Sequence, residues 1–197
     1  MREINKVFYK TIVLIFFFFS VQAESNISSI GDPDAKVIIK VFSSLTCPHC
    51  ANFHTSTYDK LKKEYIDTGL VKFEHYPFPL DLAALNAEVI VRCQNNVVKK
   101  FELLTEIYKK QKTWAVGSDI NKINELIKKI GLNFDLSNEK MDGCLKSDQI
   151  QDEILEQRIE AQKKYKIDST PTIIINEKKY SGKVDYIQFK KEIDKKL

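Results

Sequence analysis

The residues with the clearest chemistry are two cysteines in the stretch SSLTCPHCANFHTSTYDKL, Cys47 and Cys50, separated by Pro48 and His49. Such a pair can be a redox couple, half of a metal site, a haem tether or a structural bridge. Haem attachment wants a histidine directly after the second cysteine, and Ala51 stands there. Metal binding could recruit His54, one helical turn beyond Cys50, although a single pair without a second one is a weak zinc signal and copper carriers use similar ligands. The expectation for the chain is no metal and no cofactor. A redox couple needs two unequal sulfurs, and the elements around the pair decide whether it has them.

The segment KVIIKVF, Lys36 to Phe42, is short and β-branched and reads as a buried strand. A helix then begins at the cysteine segment, with Pro48 in its first turn, where a missing N–H does no harm. Cys50, Phe53, Thr57 and Leu61 recur at helical spacing and share one face, and Gly69 suits the C-terminal cap. Free N–H groups and the helix dipole favour an anion at Cys47, so its thiolate is stabilised, and His49 can add a donor or a positive charge. Cys50 points inward as the protected partner, a division of labour that fits thiol–disulfide exchange.

A second strand, LVKFEHYP, follows and ends in prolines, completing a strand–helix–strand unit whose strands should lie parallel. Within it His75 reads as a core or edge histidine. From about residue 81 the pattern turns helical, with an apolar stripe of Ile120, Ile123, Ile127 and Ile130 that reads as core. After STPTIIINEKKYSG, which gives two short strands around a turn at Asn176-Glu177, DYIQFKKEIDKK closes the chain as a helix. Pro171, directly before a strand, is either an ordinary strand-start proline or a cis proline packed opposite the cysteines. In the second case the Thr170 backbone could pair with an extended substrate, and Pro171 would keep metal from the sulfurs.

The first residues bear on compartment. Arg2, Lys6 and Lys10 precede an apolar run through Phe19, with small residues up to Ala23, which reads as a secretory signal peptide over residues 1–23. An uncleaved anchor facing the periplasm is the alternative, but the run is well short of the roughly 20 residues that cross a bilayer. The chain carries a formal net charge of +4, and loss of the leader leaves about +2, with lysines scattered among acids, which is no nucleic-acid balance. Four cysteines in an exported chain are consistent with two disulfides.

CPHC after a strand, followed in order by FPLD, RC, MDGCLKS, AQKKYKI and STPTIII, resembles the DsbA family of thiol:disulfide oxidoreductases over nearly the whole mature chain. The resemblance implies an α/β thioredoxin-like fold, a central mixed sheet flanked by helices, interrupted by an all-helical domain. The thioredoxin-like part would comprise 24–80 and 165–197, and the insertion 81–164. It further implies a periplasmic enzyme that donates the Cys47–Cys50 disulfide to reduced exported proteins and is reoxidised by a membrane-bound partner, acting as a monomer. Low-pKa, oxidising cysteine pairs are a property of this family, so that part of the expectation is carried by the resemblance.

By the same resemblance Cys47 is the nucleophile, Cys50 the resolving cysteine, His49 the tuning residue and Thr170-Pro171 the cis-proline loop, with Pro48 counted among the catalytic residues. Cys93 and Cys144 would form a second, structural disulfide, against the alternative of two buried thiols. One departure stands out: many relatives carry a buried acid six positions before the first cysteine, and here that place is Val41, with Glu74 a speculative substitute. A disulfide isomerase or reductase, and a copper or zinc carrier on a thioredoxin fold, are the competing functions.

Overall fold

The computed structural model describes residues 27–183 and 185–197, so the expected leader over 1–23 lies outside the described residues. Five strands form one mixed sheet in the order β1-β3-β2-β4-β5: β1 (Ser28–Ile30), β2 (Val37–Ser43), β3 (Val71–Pro77), β4 (Thr172–Ile175) and β5 (Lys178–Lys179). β2 and β3 run parallel, as a strand–helix–strand crossover requires, and the other pairings are antiparallel. The hairpin between β4 and β5 turns at Asn176 and Glu177, both with positive φ, the geometry a two-residue turn needs.

Between β2 and β3 lies α1 (Pro48–Phe53), which continues through a π-helical turn (His54–Tyr58), the short α2 (Asp59–Leu61) and a second π-helical turn (Lys62–Ile66). The Thr55 and Ser56 hydroxyls donate to the Ala51 and Asn52 carbonyls four residues back, a contact that loosens the helical ladder where the first wide turn begins. Gly69, at φ 77°, ends the segment in the left-handed conformation that glycine adopts without steric cost. The predicted inward face is the observed one: Cys50, Phe53, Thr57 and Leu61 are all buried.

Helices fill the chain between β3 and β4: α3 (Leu82–Arg92), α4 (Val97–Lys109), α5 (Gln111–Trp114), α6 (Ile120–Gly131), α7 (Asn138–Leu145) and α8 (Asp148–Tyr165). A last helix, α9 (Tyr186–Asp194), packs back on the sheet side of the molecule. Asp81, Asn96, Asp119, Ser137, Ser147 and Asp185 cap all of these helices but α5 by accepting backbone N–H bonds, the preference that makes such residues good helix starts. One apolar core runs from β2 and β3 through α1 into α3, α4 and α6, so sheet and helical block share an interior. Ile123, Ile127 and Ile130 of the predicted stripe lie in that core and Ile120 packs at its margin. Among the described residues no helix is long and apolar enough to cross a membrane.

Candidate active site

Cys47 is the N-cap of α1, with extended backbone angles, and its carbonyl accepts the first helical bond from Ala51 at 3.1 Å. Pro48 at the next position has no N–H, so the first amides free to face the sulfur are those of His49 and Cys50. Both donate toward it, and the Cys50 thiol donates to it as well. The Cys50 thiol is the largest influence, outweighing burial, and the Cys47 thiol is lowered to about 5. His49 acts here through its backbone; its side chain is exposed.

Cys50 is the opposite case. It is 0% exposed, burial pushes its thiol far above the ordinary range, and its bond to Cys47 adds to that effect. The Ser44 amide, facing the Cys50 sulfur, works weakly the other way. The two sulfurs are not joined by a disulfide.

Thr170-Pro171 is a cis peptide, and its loop faces the pair: the Cys47 thiol donates to the Thr170 carbonyl at 3.3 Å. The Thr170 hydroxyl has no hydrogen-bond partner of good geometry, yet it lies near enough to both sulfurs to favour their thiolates. Chain segments 123 residues apart thus meet at one sulfur.

The turn from Ser43 to Cys47 is held from the helical block. The buried Gln111 side chain donates to the Leu45 carbonyl at 2.7 Å and to the Cys47 carbonyl at 3.0 Å. The Thr46 hydroxyl donates to Asp81 at 2.8 Å, while the same carboxylate caps α3 through the Ala84 amide at 2.7 Å. Sequence reasoning missed both residues. Asp81 could have been found as a cap residue directly before the helical run that follows FPLD; nothing local marks Gln111.

His54 does not join the cysteines. It is fully buried in an aromatic nest, its ring stacked on Tyr108 at 4.2 Å and edge-on to Phe53 and Phe73, with both ring nitrogens unpaired. Among the described residues no group of three histidine, cysteine, aspartate or glutamate side chains could hold a metal ion, so His54 is not brought together with Cys47 and Cys50. Glu74 is also displaced from the role considered for it. It alternates onto the sheet face opposite the cysteines, with Lys72 and Tyr76 as partners. Val41 instead stands in register with His75 of β3, which is buried and bonded to Glu88 of α3 at 3.0 Å. Cys93 and Cys144, at the end of α3 and within α7, are joined by a disulfide with their Cα atoms 6.2 Å apart.

A family model described as Thioredoxin matches residues 23–195. The chain is 30% identical over 185 residues to the probable disulfide bond formation protein D of Bacillus anthracis, covering 89% of this chain and 80% of that one. This chain belongs to the thioredoxin family. Among solved structures, Wolbachia pipientis alpha-DsbA1 superposes with a TM-score of 0.79 at 27% identity, over 86% of this chain and 90% of that one. BdbD of Bacillus subtilis shares the fold, at 20% identity and a TM-score of 0.76, over 86% of this chain and 92% of its own. A putative protein-disulfide oxidoreductase of Rickettsia bellii is 30% identical over 154 residues; the match takes in 78% of this chain but only 58% of that longer relative. The expected thioredoxin-like fold with a mixed sheet and flanking helices is therefore the observed one.

Proposed function

We propose that the protein is a thiol:disulfide oxidoreductase that introduces disulfides into reduced exported proteins by exchange at Cys47 and Cys50. The observation that carries this reading is the inequality of the two sulfurs, an activated Cys47 at about 5 and a buried Cys50 held as thiol. In the oxidised enzyme a client thiolate attacks Cys47, and the Cys50 thiolate leaves. A second client thiolate then attacks the client sulfur of the mixed disulfide and releases Cys47, which leaves readily because its thiolate is stable. Stabilising that thiolate favours the reduced enzyme and makes the disulfide a strong oxidant.

In this reading Pro48 and His49 set the helix start, Thr170 and Pro171 present an extended backbone to the client, and Cys93–Cys144 is structural. The thioredoxin-like part comprises 24–80 and 165–197, with a helical insertion at 81–164. The protein works in the periplasm after export by a signal peptide over residues 1–23, as a monomer, with a membrane-bound partner restoring the disulfide. Names of relatives built on disulfide bond formation support the reaction class.

The test is oxidation of a reduced dithiol peptide by the oxidised protein, with the redox potential measured against glutathione. The expected potential lies well above thioredoxin's, about −270 mV, and Cys47→Ser abolishes exchange. A potential at or below thioredoxin's would sink the oxidase reading, and faster reshuffling of a scrambled protein than oxidation of a reduced one would make it an isomerase.

A further inference from the structure

The end of the sheet remote from the cysteines carries charge that the redox chemistry does not use. β4 begins beside Thr170, which meets Cys47, and ends at the Asn176-Glu177 turn, so the β4–β5 hairpin lies at the opposite end of that strand. There the hairpin and α9 border a cleft of about 420 Å³, a volume within the range of small-ligand sites. Lys178 and Lys179 of β5 line it, with Lys191 of α9 and Lys195 and Lys196 just past its end. Among the described residues that line it, Glu192 is the one carboxylate, and it is shared by Lys195 at 3.6 Å and Lys196 at 3.0 Å. Lys178, Lys179 and Lys191 are exposed and have no acid partner among the described residues.

The cleft has a fixed wall. Tyr180 packs edge-on against Phe189 of α9, with ring centroids 5.3 Å apart, and its hydroxyl donates to the Lys183 carbonyl at 2.8 Å. Gly182 lies against the Tyr180 ring, where a side chain would have no room. Lysines held around a concave surface repel one another and gain from an anion with several oxygens. Their compact ammonium groups suit phosphate, whereas planar, bidentate recognition of carboxylates favours arginine. Exposed aliphatic side chains at the rim indicate where that phosphate sits. Ile187, one helical turn before Lys191, is 66% exposed on the side of α9 turned away from the buried Phe189 and Ile193, and Leu197, next to Lys196, is 37% exposed. Aliphatic side chains among lysines mark elements that lie on an anionic bilayer, where the apolar groups enter the headgroup boundary and the cations meet phosphates.

We infer that this lysine cleft is a docking site for the phosphate headgroups of an anionic phospholipid surface. The cleft takes a headgroup, the unpaired lysines at its edge face neighbouring phosphates, and Ile187 rests at the boundary of the acyl chains. Docked in this way, the protein lies on the bilayer while Cys47, at the other end of β4, stays open. The attraction is electrostatic first, so salt weakens it. The inference goes beyond the redox reading and does not rest on it.

The test is co-sedimentation of the mature protein without residues 1–23, which keeps every described residue, with vesicles of equal parts phosphatidylglycerol and phosphatidylcholine. Vesicles of phosphatidylcholine alone are the comparison. Binding to the anionic vesicles only, weakening as salt rises, is the expected result. Each lysine at such a surface contributes about a fivefold factor in affinity, so Lys178→Gln/Lys179→Gln/Lys191→Gln should bind on the order of a hundredfold more weakly. Lys122→Gln/Lys129→Gln/Lys140→Gln removes the same charge from exposed positions on α6 and α7 and should keep most of the affinity. Equal binding to both kinds of vesicle, binding to neither, or equal losses in the two variants overturns the site. Inorganic phosphate is the second arm. A melting temperature that phosphate raises in the wild type but not in the cleft variant, with no vesicle binding, assigns the cleft to a soluble anion and overturns the membrane contact. Exchange with glutathione checks that both variants are folded, since neither touches the cysteines. A wild type that binds anionic vesicles but performs no exchange overturns the functional reading alone, whereas exchange without vesicle binding overturns this inference alone.

Discussion

At the scale of single residues, the chemistry turns on how differently one helix start and one helix face treat two identical side chains. Alkylation of reduced protein at Cys47 should titrate with a midpoint about 5, against about 8.5 for an ordinary cysteine; a midpoint near the ordinary value would contradict the assignment. Thr170→Val removes a hydroxyl that favours the Cys47 thiolate. It should raise that midpoint, slow alkylation near pH 5 severalfold and make the disulfide less oxidising, all measurable on the same protein. The places of Cys47, Pro48 and Cys50 were legible because they follow from position relative to a helix start. His54 was misleading for the same reason: spacing put it one turn from Cys50, but spacing cannot say that Tyr108 and Phe73 enclose it. Glu88 left a faint trace, a lone acid inside the apolar run AALNAEVIV, whereas its partner His75 comes from another element.

At the scale of elements, the turn between β2 and α1 is a short, bent piece of backbone whose carbonyls are satisfied from outside. Gln111→Leu leaves the buried Leu45 carbonyl without its donor, while the Cys47 carbonyl keeps the Ala51 amide. At about 1–3 kcal/mol for a buried group left unpaired, chemical denaturation should show a loss of that size. The Cys47 alkylation profile would broaden as the turn loses its fixed shape, and an unchanged denaturation midpoint would argue against the clamp. The strand–helix–strand unit, the terminal hairpin and the long amphipathic helices could all be read from periodicity. β1 could not, because Ser28–Ile30 has too little pattern and becomes a strand only by pairing with β3. The π-helical turns were equally hidden, since they follow from hydroxyls bonding backward and from the fit of His54 and Tyr58 into a core that local sequence does not describe.

At the scale of the molecule, two properties can be tested. Cys93–Cys144 closes a loop across a separation of 51 residues, for which the chain-entropy relation gives about 4 kcal/mol. The double variant Cys93→Ala/Cys144→Ala should lose roughly that in a denaturant titration, while its Cys47 chemistry persists. Reduced and oxidised proteins should also differ in pH dependence. Cys47 has a depressed pKa in the fold, so its contribution to the reduced form is absent below about 5, grows with pH, and is complete near the unfolded value of about 8.5. Above that pH the Cys50 thiol, raised by burial, begins to oppose it. The melting-temperature difference between the two forms should therefore shift toward the reduced form from pH 5 to 8, and a flat difference would refute the linkage. The meeting of Cys47 with Thr170 has a consequence in time as well as in space. Ribosomes add about 5–20 residues per second, so the 123 residues between them delay the covering loop by roughly 6–25 s. For that interval the sulfur pair of a growing chain lacks the loop it packs against, and Cys93 and Cys144 are both made before that loop.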